Sequence, residues 1–232
     1  MKHIIVGGVE TFSTVDFPNV MAAVVFMQGC PWRCPFCHNK SLQKIGENSN
    51  FLWEKFLDFL KTRKGILDAV VFSGGEPLVQ DDLPLYMEEV KSLGYKIGLH
   101  TGGYRPQALA KVLHLVDWIG FDIKAPLNVE HYQKATGGAN HFSQVMESLQ
   151  MIIGSNIHFE CRTTCDPRIL NISDIEQIGH QLSDMGVYEY YLQRYRQVEG
   201  DSTPDSECDK FFENHSLLDS LKTLFKNFDI RK

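Results

Sequence analysis

Short apolar runs alternate along this chain with longer segments in which apolar residues recur every three or four positions. The short runs are rich in β-branched and aromatic residues, and several are apolar almost throughout, which is typical of strands buried on both faces of a parallel sheet. Six such strands are predicted, at residues 21–27, 69–73, 95–101, 118–124, 158–164 and 188–194. A shorter strand is predicted ahead of them, near residues 4–6.

The segments between the strands carry apolar stripes with the spacing of helices. The clearest stripes are Trp53, Phe56, Leu57 and Leu60; Leu109, Val112, Leu113 and Val116; and Ile175, Ile178 and Leu182. Six strand–helix units with right-handed connections predict an α/β fold, a partial TIM-type (β/α)6 barrel, because closing a full barrel takes eight units. The last apolar segment, residues 217–228, predicts a helix that covers the open edge.

The length and composition of the chain limit what it can be. Its 232 residues, 43% of them hydrophobic, can bury one core, and no long linker, repeat or low-complexity tract is evident, so residues 1–232 are expected to form a single domain. A net charge of −6 and a pI near 5.8 argue against a nucleic-acid-binding surface. No apolar run approaches the ~18 residues that span a membrane, and no export signal is evident, so we expect a cytoplasmic protein.

Three cysteines lie close together in the sequence C-P-W-R-C-P-F-C-H-N, shortly after the first of the six predicted strands: Cys30, Cys34 and Cys37. Thiolates are the usual ligands of a cubane iron–sulfur cluster, which normally takes four, so three would leave one iron open. Cys34 and Cys37 alone, as C-x-x-C, are also compatible with half a zinc site or a redox dithiol. The remaining cysteines are scattered, at Cys161, Cys165 and Cys208. That scatter favours the cluster, because a structural zinc site needs further ligands with their own spacing.

The cysteine triplet, with Phe36 just before its last cysteine, resembles that of the radical S-adenosylmethionine (SAM) family. His38 and Asn39 follow it and narrow the resemblance to the branch that activates glycyl radical enzymes, with the greatest likeness to activating proteins of anaerobic ribonucleoside-triphosphate reductase. The likeness extends from G-G-V-E-T-F-S-T-V-D-F-P at residues 7–18 to Y-L-Q-R-Y at residues 191–195. It implies a radical SAM barrel in which the three cysteines hold a catalytic [4Fe–4S] cluster, with Phe36, His38 and Asn39 near the bound SAM.

Residues that bind ligands in such barrels lie at the carboxyl ends of the strands. The second predicted strand ends in S-G-G-E-P, where paired glycines let backbone approach a ligand and Glu76 can accept a hydrogen bond from an ammonium group. On its own, this sequence is more simply a plain turn between a strand and a helix. Its resemblance to the Gly-Gly-Glu-Pro motif of the family implies that Gly74, Gly75, Glu76 and Pro77 bind SAM.

The third predicted strand ends in G-L-H-T-G-G, at residues 98–103. Activating enzymes often carry Asp-Thr-Asn-Gly here, so Thr101 and Gly103 match the pattern, whereas His100 and Gly102 depart from it. The resemblance implies that Thr101 and nearby backbone groups contact the ribose or carboxylate of SAM. His100 could hydrogen-bond the ligand, or it could be a partly buried structural histidine.

The last three predicted strands carry charged or polar residues near their ends: Asp122 with Lys124, Arg162, and Gln193. Asp122 and Lys124 alternate onto one face of a strand, where a mutual salt bridge would explain them. Arg162 suits a carboxylate ligand, although Glu160 on the same face could simply pair with it. The resemblance implies that Asp122, Lys124 and Arg162 lie near SAM or the substrate of the enzyme. It also places Gln193 where related enzymes have a histidine that touches SAM.

The resemblance further implies a reaction. The enzyme would cleave SAM reductively at the cluster, with a reductant such as flavodoxin or ferredoxin, and generate a glycyl radical on its partner protein, anaerobic ribonucleoside-triphosphate reductase. Two alternatives keep the chemistry and change the substrate: pyruvate formate-lyase, or a small molecule as in 7-carboxy-7-deazaguanine synthase. The usual Gln-Gly-Glu-Gly stretch of that synthase is replaced here by S-T-V-D-F-P-N at residues 13–19. A non-enzymatic zinc or iron–sulfur binding module is the remaining alternative.

Overall fold

The computed structural model, which describes residues 4–46 and 51–232, contains one eight-stranded sheet whose strands follow one another in chain order. The strands are β1 (Val6–Ser13), β2 (Ala22–Met27), β3 (Ala69–Gly74), β4 (Lys96–Thr101), β5 (Trp118–Asp122), β6 (His158–Cys165), β7 (Glu189–Arg194) and β8 (Asn227–Arg231). β1 runs antiparallel to β2, and every other neighbouring pair is parallel. The sheet is therefore an open, partial barrel of parallel strands with one antiparallel strand at its edge.

Helices connect the parallel strands and cover the outer face of the sheet in the described part of the chain. They are α1 (Trp53–Thr62), α2 (Leu83–Ser92), α3 (Pro106–Val112), α4 (Val129–Ala135), α5 (Phe142–Ile153), α6 (Ile172–Asp184), α7 (Asp205–Glu213) and α8 (His215–Leu224). Short 3₁₀ helices lie at Lys40–Gln43, Pro77–Val79 and Leu113–Leu115. Strand residues that face these helices, such as Val25, Val70 and Ile97, are fully buried, and burying their apolar surface stabilises the fold. None of the helices described is long and apolar enough to cross a membrane.

Several helices begin where the local sequence supplies a capping side chain. Asn128, Asn171 and Asn214 precede α4, α6 and α8, and each side chain accepts a hydrogen bond from a backbone N–H in the first turn. At α6, the Asp174 carboxylate accepts a hydrogen bond from the Asn171 backbone N–H and completes a capping box. These caps fix the point at which each connecting loop ends.

The prediction of a partial barrel is confirmed. Each of the six predicted strands is present, with boundaries that differ from the prediction by no more than about two residues. The early strand differs more, because β1 starts at Val6 and continues to Ser13, whereas it was expected near residues 4–6. Its sequence, V-G-G-V-E-T-F-S, has two glycines and several exposed residues, so it lacks the continuous apolar pattern that identified the other strands.

The prediction of a helix through residue 228 is wrong at its C-terminal end. α8 ends sooner, and residues 227–231 form β8, which joins the sheet parallel to β7. The helical spacing of apolar residues ends within α8, and N-F-D-I-R then alternates with a period of two. Phe228 and Ile230 pack against the helix-facing core, which leaves Asp229 and Arg231 on the inner face of the barrel.

The inner face of the barrel is apolar at its base and polar towards the carboxyl ends of the strands. At the base, Phe17 from the loop between β1 and β2 packs against Trp118 of β5, with ring centroids 5.2 Å apart. Gly98 on β4 makes room for the Phe17 ring, because a Cβ at that position would crowd it. Nearer the carboxyl ends of the strands, His100, two residues beyond Gly98, and Asp122, four residues beyond Trp118, bring polar groups to the end where the connecting loops meet.

Candidate active site

The loop with the three predicted cluster cysteines follows β2 and is held in place by backbone hydrogen bonds. The Gly29 and Cys30 N–H groups donate to the carbonyls of Leu42 and Gln43, at 2.7 and 3.1 Å. Within the loop, the Cys37 N–H donates to the Cys34 carbonyl at 3.1 Å. Cys30 and Cys34 are buried, whereas Cys37 is partly exposed. The short 3₁₀ helix after the triplet therefore supports the loop and fixes where its thiols lie.

The donor set of this loop fits a cubane cluster. Cys161 and Cys165 are buried in the helix-facing core, and Cys208 packs beside Tyr195, so these three cysteines lie apart from the triplet. In residues 4–46 and 51–232, no three His, Cys, Asp or Glu side chains surround one point that could hold a single metal ion. Cysteines on a cubane bind separate irons, so they need not converge in this way. Burial raises the pKa of Cys30 to about 12, so metal binding there must displace a proton.

The two glycines of the S-G-G-E-P turn pack against the cysteine loop. Gly74 has a φ of +106°, and a Cβ at this position would overlap the Met27 backbone. A Cβ at Gly75 would overlap the Gly29 carbonyl, which accepts a hydrogen bond from the Glu76 N–H at 2.8 Å. The missing side chains therefore allow this turn to touch the segment that leads into the cysteine triplet, in addition to any room they leave for a ligand. Pro77, which is buried, begins the 3₁₀ helix that follows.

The carboxylate of Glu76 joins the loops that follow β3 and β4. Its side chain accepts hydrogen bonds from the Thr101 hydroxyl at 2.6 Å, the Gly102 N–H at 2.9 Å and the Leu78 N–H at 3.1 Å. The Thr101 hydroxyl in turn accepts a hydrogen bond from the Gly103 N–H at 2.9 Å. Burial raises the pKa of Glu76 to about 7, although these donors act to lower it. Since a carboxylate has about four acceptor positions, one remains for a ligand donor.

The departure from the family motif at residue 102 has a structural partner in the cysteine loop. A Cβ at Gly102 would overlap the ring of Trp32. Trp32 lies between Cys30 and Cys34 in the sequence, and its side chain is buried. The Lys124 Nζ atom lies 5.1 Å from the centroid of the same ring. Trp32 was not identified from the sequence, and the signal that could have found it is a glycine at residue 102 where the family often has asparagine.

Asp122 lies between two cations. Its carboxylate accepts a hydrogen bond from the Arg162 Nε at 2.7 Å and lies 3.5 Å from the Lys124 Nζ. Burial alone would raise the pKa of Asp122, but Arg162 and Lys124 outweigh it and lower the pKa to about 2. Burial likewise acts to lower the pKa of Lys124, and Asp122 raises it above its usual value. The predicted Asp122–Lys124 ion pair is therefore part of a triad with a net charge of +1, from two cations and one anion.

The alternative in which Glu160 pairs with Arg162 is wrong, because each has a different ion-pair partner. Glu160 is fully buried and forms a bidentate ion pair with Arg231 of β8, at 2.5 and 2.7 Å. The Arg231 guanidinium also lies 4.0 Å from the centroid of the Tyr191 ring. Arg231 is not identifiable as a site residue from the sequence, because it follows closely on residues 217–228, whose apolar pattern predicts a helix.

Both ring nitrogens of His100 have partners within the protein. Nε2 lies 2.8 Å from the Asp16 carbonyl, and Nδ1 lies 3.2 Å from the Ser73 hydroxyl. Burial, with a contribution from Arg162, lowers the pKa of His100 to about 3, so the ring is neutral. These partners assign the proton to Nε2, which donates to the carbonyl, while Nδ1 accepts from Ser73. His100 thus fastens the loop between β1 and β2 to the inner wall of the barrel.

A cavity of about 600 Å³ opens at the mouth of the barrel, between the cysteine loop and the ends of β6, β7 and β8. Four predicted site residues line it, namely Phe36, His38, Arg162 and Gln193. Asn39, by contrast, is exposed where the 3₁₀ helix begins and does not line the cavity. The predicted residues are therefore brought to one end of the barrel, in the cavity and on the loops beside it.

The chain is similar to one family pattern and to several named proteins. The sequence pattern of the Radical SAM superfamily matches residues 24–182. A protein of Methanocaldococcus jannaschii, named provisionally as a glycyl-radical enzyme activating enzyme, is 29% identical over 191 residues, which are 79% of this chain and 78% of that protein. The pyruvate formate-lyase-activating enzyme of Listeria monocytogenes is 36% identical over 150 residues, or 58% of each chain. The pyruvate formate-lyase 1-activating enzyme of Escherichia coli is 27% identical over 193 residues, 78% of this chain and 75% of that enzyme.

Solved structures with the same fold are more distant in sequence. Streptococcus suis SuiB bound to S-adenosylmethionine matches with a TM-score of 0.69 and 11% identity over 88% of this chain and 48% of SuiB. The chain thus spans about half the length of SuiB. QueE from Escherichia coli matches with a TM-score of 0.54 and 16% identity over 99% of this chain and 94% of QueE. Since the superfamily pattern covers more than half of the chain and includes the cysteine triplet, the chain belongs to the radical SAM superfamily, whose enzymes use a [4Fe–4S] cluster and SAM.

Proposed function

We propose that this radical SAM enzyme generates a glycyl radical on a partner protein, and that the partner is anaerobic ribonucleoside-triphosphate reductase. The observation that carries the first part is similarity, over more than three quarters of the chain, to proteins named as glycyl radical enzyme activators. The narrower partner assignment rests on the resemblance that runs from residues 7–18 to residues 191–195. Membership of an enzyme family removes the non-enzymatic metal-binding module as an alternative.

In this proposal Cys30, Cys34 and Cys37 hold the cluster through three of its irons. When bound, the cluster and SAM supply one chemistry, the reductive cleavage of SAM to give a carbon radical that can take a hydrogen atom. The protein residues hold the reactants and keep solvent away from them. Burial of Cys30 and Cys34 and the hydrogen bonds of their loop suit that role, because they keep two of the thiols out of water.

The residues beside the cysteine loop offer complementary groups for SAM. The remaining acceptor position of Glu76, on the Gly74–Pro77 turn, suits the ammonium group of its methionine part. The +1 charge of the triad Asp122, Lys124 and Arg162 suits its carboxylate. The Thr101 hydroxyl supports the proposed binding of the ammonium group by holding the Glu76 carboxylate in place.

The adenosine part of SAM, which is apolar on its faces and polar at its edges, suits the cavity at the barrel mouth. Phe36 offers an aromatic face there, and His38 and Gln193 offer hydrogen-bonding groups. Asn39 is exposed beside this loop, so we propose that it contributes through the loop backbone. His100 contributes indirectly, by holding the loop between β1 and β2 through its hydrogen bond to the Asp16 carbonyl.

A protein substrate has to bring its glycine to this mouth. The cavity of about 600 Å³ is open, and β1 and β8 do not pair in the described part of the chain, so an extended loop has a way in. Pyruvate formate-lyase is an equally supported partner, because relatives of this chain are named as its activating enzymes. Some rearrangement of the partner on docking is expected for a loop that enters a barrel.

The proposal includes an electron donor, flavodoxin or ferredoxin, since the cluster must be reduced before SAM is cleaved. We propose the cytoplasm as the compartment, because free thiols are kept reduced there. All six cysteines are free in the structure, which is consistent with such an environment.

Electron paramagnetic resonance (EPR) on mixtures of proteins tests the proposal. The reduced, reconstituted enzyme with SAM and the cognate reductase should produce a doublet-type glycyl radical signal and nucleotide reduction. A reductase whose radical-site glycine is replaced by alanine serves as the control and should give no signal. If pyruvate formate-lyase gains the radical and the reductase does not, the partner assignment fails. If SAM is cleaved and neither protein gains a radical, activation of a glycyl radical enzyme fails.

A further inference from the structure

Arg168, on the loop after β6, connects three separate segments of the chain. Its guanidinium donates to the Asp166 carboxylate, with Nε to Oδ1 at 2.9 Å and Nη2 to Oδ2 at 2.6 Å. Nη1 forms an ion pair with Asp201 at 3.1 Å, on the loop after β7. Nη2 also donates to the Pro35 carbonyl at 3.2 Å. The planar fork of one arginine therefore ties two loops of the barrel mouth to the cysteine loop.

The partners of Arg168 are themselves fixed. Asp166 is fully buried, and its carboxylate accepts a further hydrogen bond from the Arg168 N–H at 3.0 Å. Asp201 accepts hydrogen bonds from the Tyr195 hydroxyl and from the Thr203 N–H. The Tyr195 ring lies under the guanidinium, 4.6 Å from its central carbon to the ring centroid. With one face on an aromatic ring and two anions at its edges, the guanidinium has little freedom to move.

The contact with Pro35 falls inside the cysteine triplet, because Pro35 lies between Cys34 and Phe36. Arg168, Cys34 and Pro35 also line the same cavity, of about 450 Å³. A permanent cation thus donates a hydrogen bond to the backbone of the loop that would carry the cluster. Charges and hydrogen bonds around an iron–sulfur cluster set its reduction potential, and outer groups orient its ligands.

We propose that Arg168 is a positioning residue for the cluster, which fixes the peptide between Pro35 and Phe36 and raises the reduction potential. This rests on the proposed function only in that the three cysteines hold a cluster. An ordinary surface ion pair would join Arg168 to Asp166 and Asp201 and need no contact with the cysteine loop. The hydrogen bond to the Pro35 carbonyl distinguishes the two roles.

The test is a redox titration of the anaerobically reconstituted protein, followed by EPR in the absence of SAM and of any reductase. Arg168→Gln removes the cation and leaves Asp166 and Asp201, so the reduced cluster should be disfavoured about tenfold, a potential lower by about 59 mV for one electron. Arg168→Lys keeps the charge and loses the fork, and should fall between Arg168→Gln and the wild type. Lys91→Gln is the matched control, because Lys91 also binds a carboxylate and a backbone carbonyl, those of Asp117 and Leu115, outside the cysteine loop.

Each outcome decides the proposal. A folded, fully loaded Arg168→Gln protein with the wild-type potential would overturn it, as would an equal shift in Lys91→Gln. A folded Arg168→Gln protein that no longer retains iron would support the anchoring role. If Arg168→Gln does not fold, Arg168→Lys decides by the same titration. If the wild type binds no cluster, the proposed function fails first, which is a separate result from an unchanged potential.

Discussion

The ring of Trp32 fills the space that a side chain at Gly102 would need. One residue lies inside the cysteine triplet, and the other lies in the motif after β4, so the two loops interlock at the barrel mouth. The same ring faces the Lys124 ammonium, which the Asp122 carboxylate also holds. Where the family pattern often has asparagine, this chain has glycine, and the Trp32 ring occupies the space of the missing side chain.

This relationship predicts that Gly102→Asn is destabilising even though asparagine is common here in the family. The added side chain must displace the Trp32 ring, and overpacking of this kind costs about 1–3 kcal/mol. The double variant Trp32→Leu, Gly102→Asn should recover part of the loss, which urea denaturation of the four proteins in the cycle would measure. Gly8→Asn is the control, because a Cβ there meets no atom of residues 4–46 or 51–232 within 4 Å. Strictly additive losses would contradict the interlocking of the two residues.

Gly75→Val is expected to impair the cluster as well as SAM binding. A Cβ at residue 75 meets the Gly29 carbonyl, next to Cys30, so the variant should push the cysteine loop away from β3. Iron content and SAM affinity, measured on the same reconstituted sample, should both fall. Loss of SAM affinity with full iron content would instead mean that this glycine serves only the ligand.

Arg231→Met should destabilise the protein although Arg231 lies near the edge of the sheet. It leaves the fully buried Glu160 without its cation, and breaking a buried pair from one side costs about 3–5 kcal/mol. The Arg231 side chain is 35% exposed, so we expect the lower end of that range. Adding Glu160→Gln should restore much of the stability in thermal denaturation. Arg196→Met, at an exposed residue nearby, should change little.

His100 predicts a loss of stability in mild acid. Its pKa falls from 6.5 to about 3 on folding, so between these pH values the unfolded chain binds a proton that the folded protein does not. The stability that this group provides is complete above pH 6.5 and is lost as the pH falls towards 3, at about 1.4 kcal/mol per pH unit. His100→Gln should flatten the pH dependence of thermal unfolding between about pH 7 and pH 5. Equal slopes for the two proteins would show that His100 is not held neutral.

The features that could be predicted from the sequence are those whose pattern lies within one short segment. The strands of the barrel are continuous apolar runs, and Cys30, Cys34 and Cys37 are close neighbours in the sequence, so each feature is complete within one short segment. β8 was missed because it is short and follows a helix directly. Its five residues alternate, but they adjoin a strong helical stripe that was extended over them.

The pairings at the barrel mouth could not be predicted, because each joins distant parts of the chain. Glu160 and Arg231 are 71 residues apart, and His100 and Asp16 are 84 residues apart. From the sequence, Arg162 could pair with either Glu160 or Asp122. Only the register of β5 with β6 places Asp122 beside it. Composition and spacing give the kinds of groups present, whereas the three-dimensional register decides which of them meet.

We propose that the triplet Cys30, Cys34 and Cys37 carries the cluster at which SAM is cleaved. The most direct measurement is EPR of the reduced, anaerobically reconstituted protein with and without SAM, together with quantification of 5′-deoxyadenosine. We predict about four irons per chain, a cluster signal that SAM changes, and formation of 5′-deoxyadenosine. Cys34→Ala should abolish all three, whereas Cys161→Ala, Cys165→Ala and Cys208→Ala should keep the iron. A full cluster in Cys34→Ala would contradict this assignment. So would a wild-type cluster whose EPR signal SAM does not change and which does not cleave SAM.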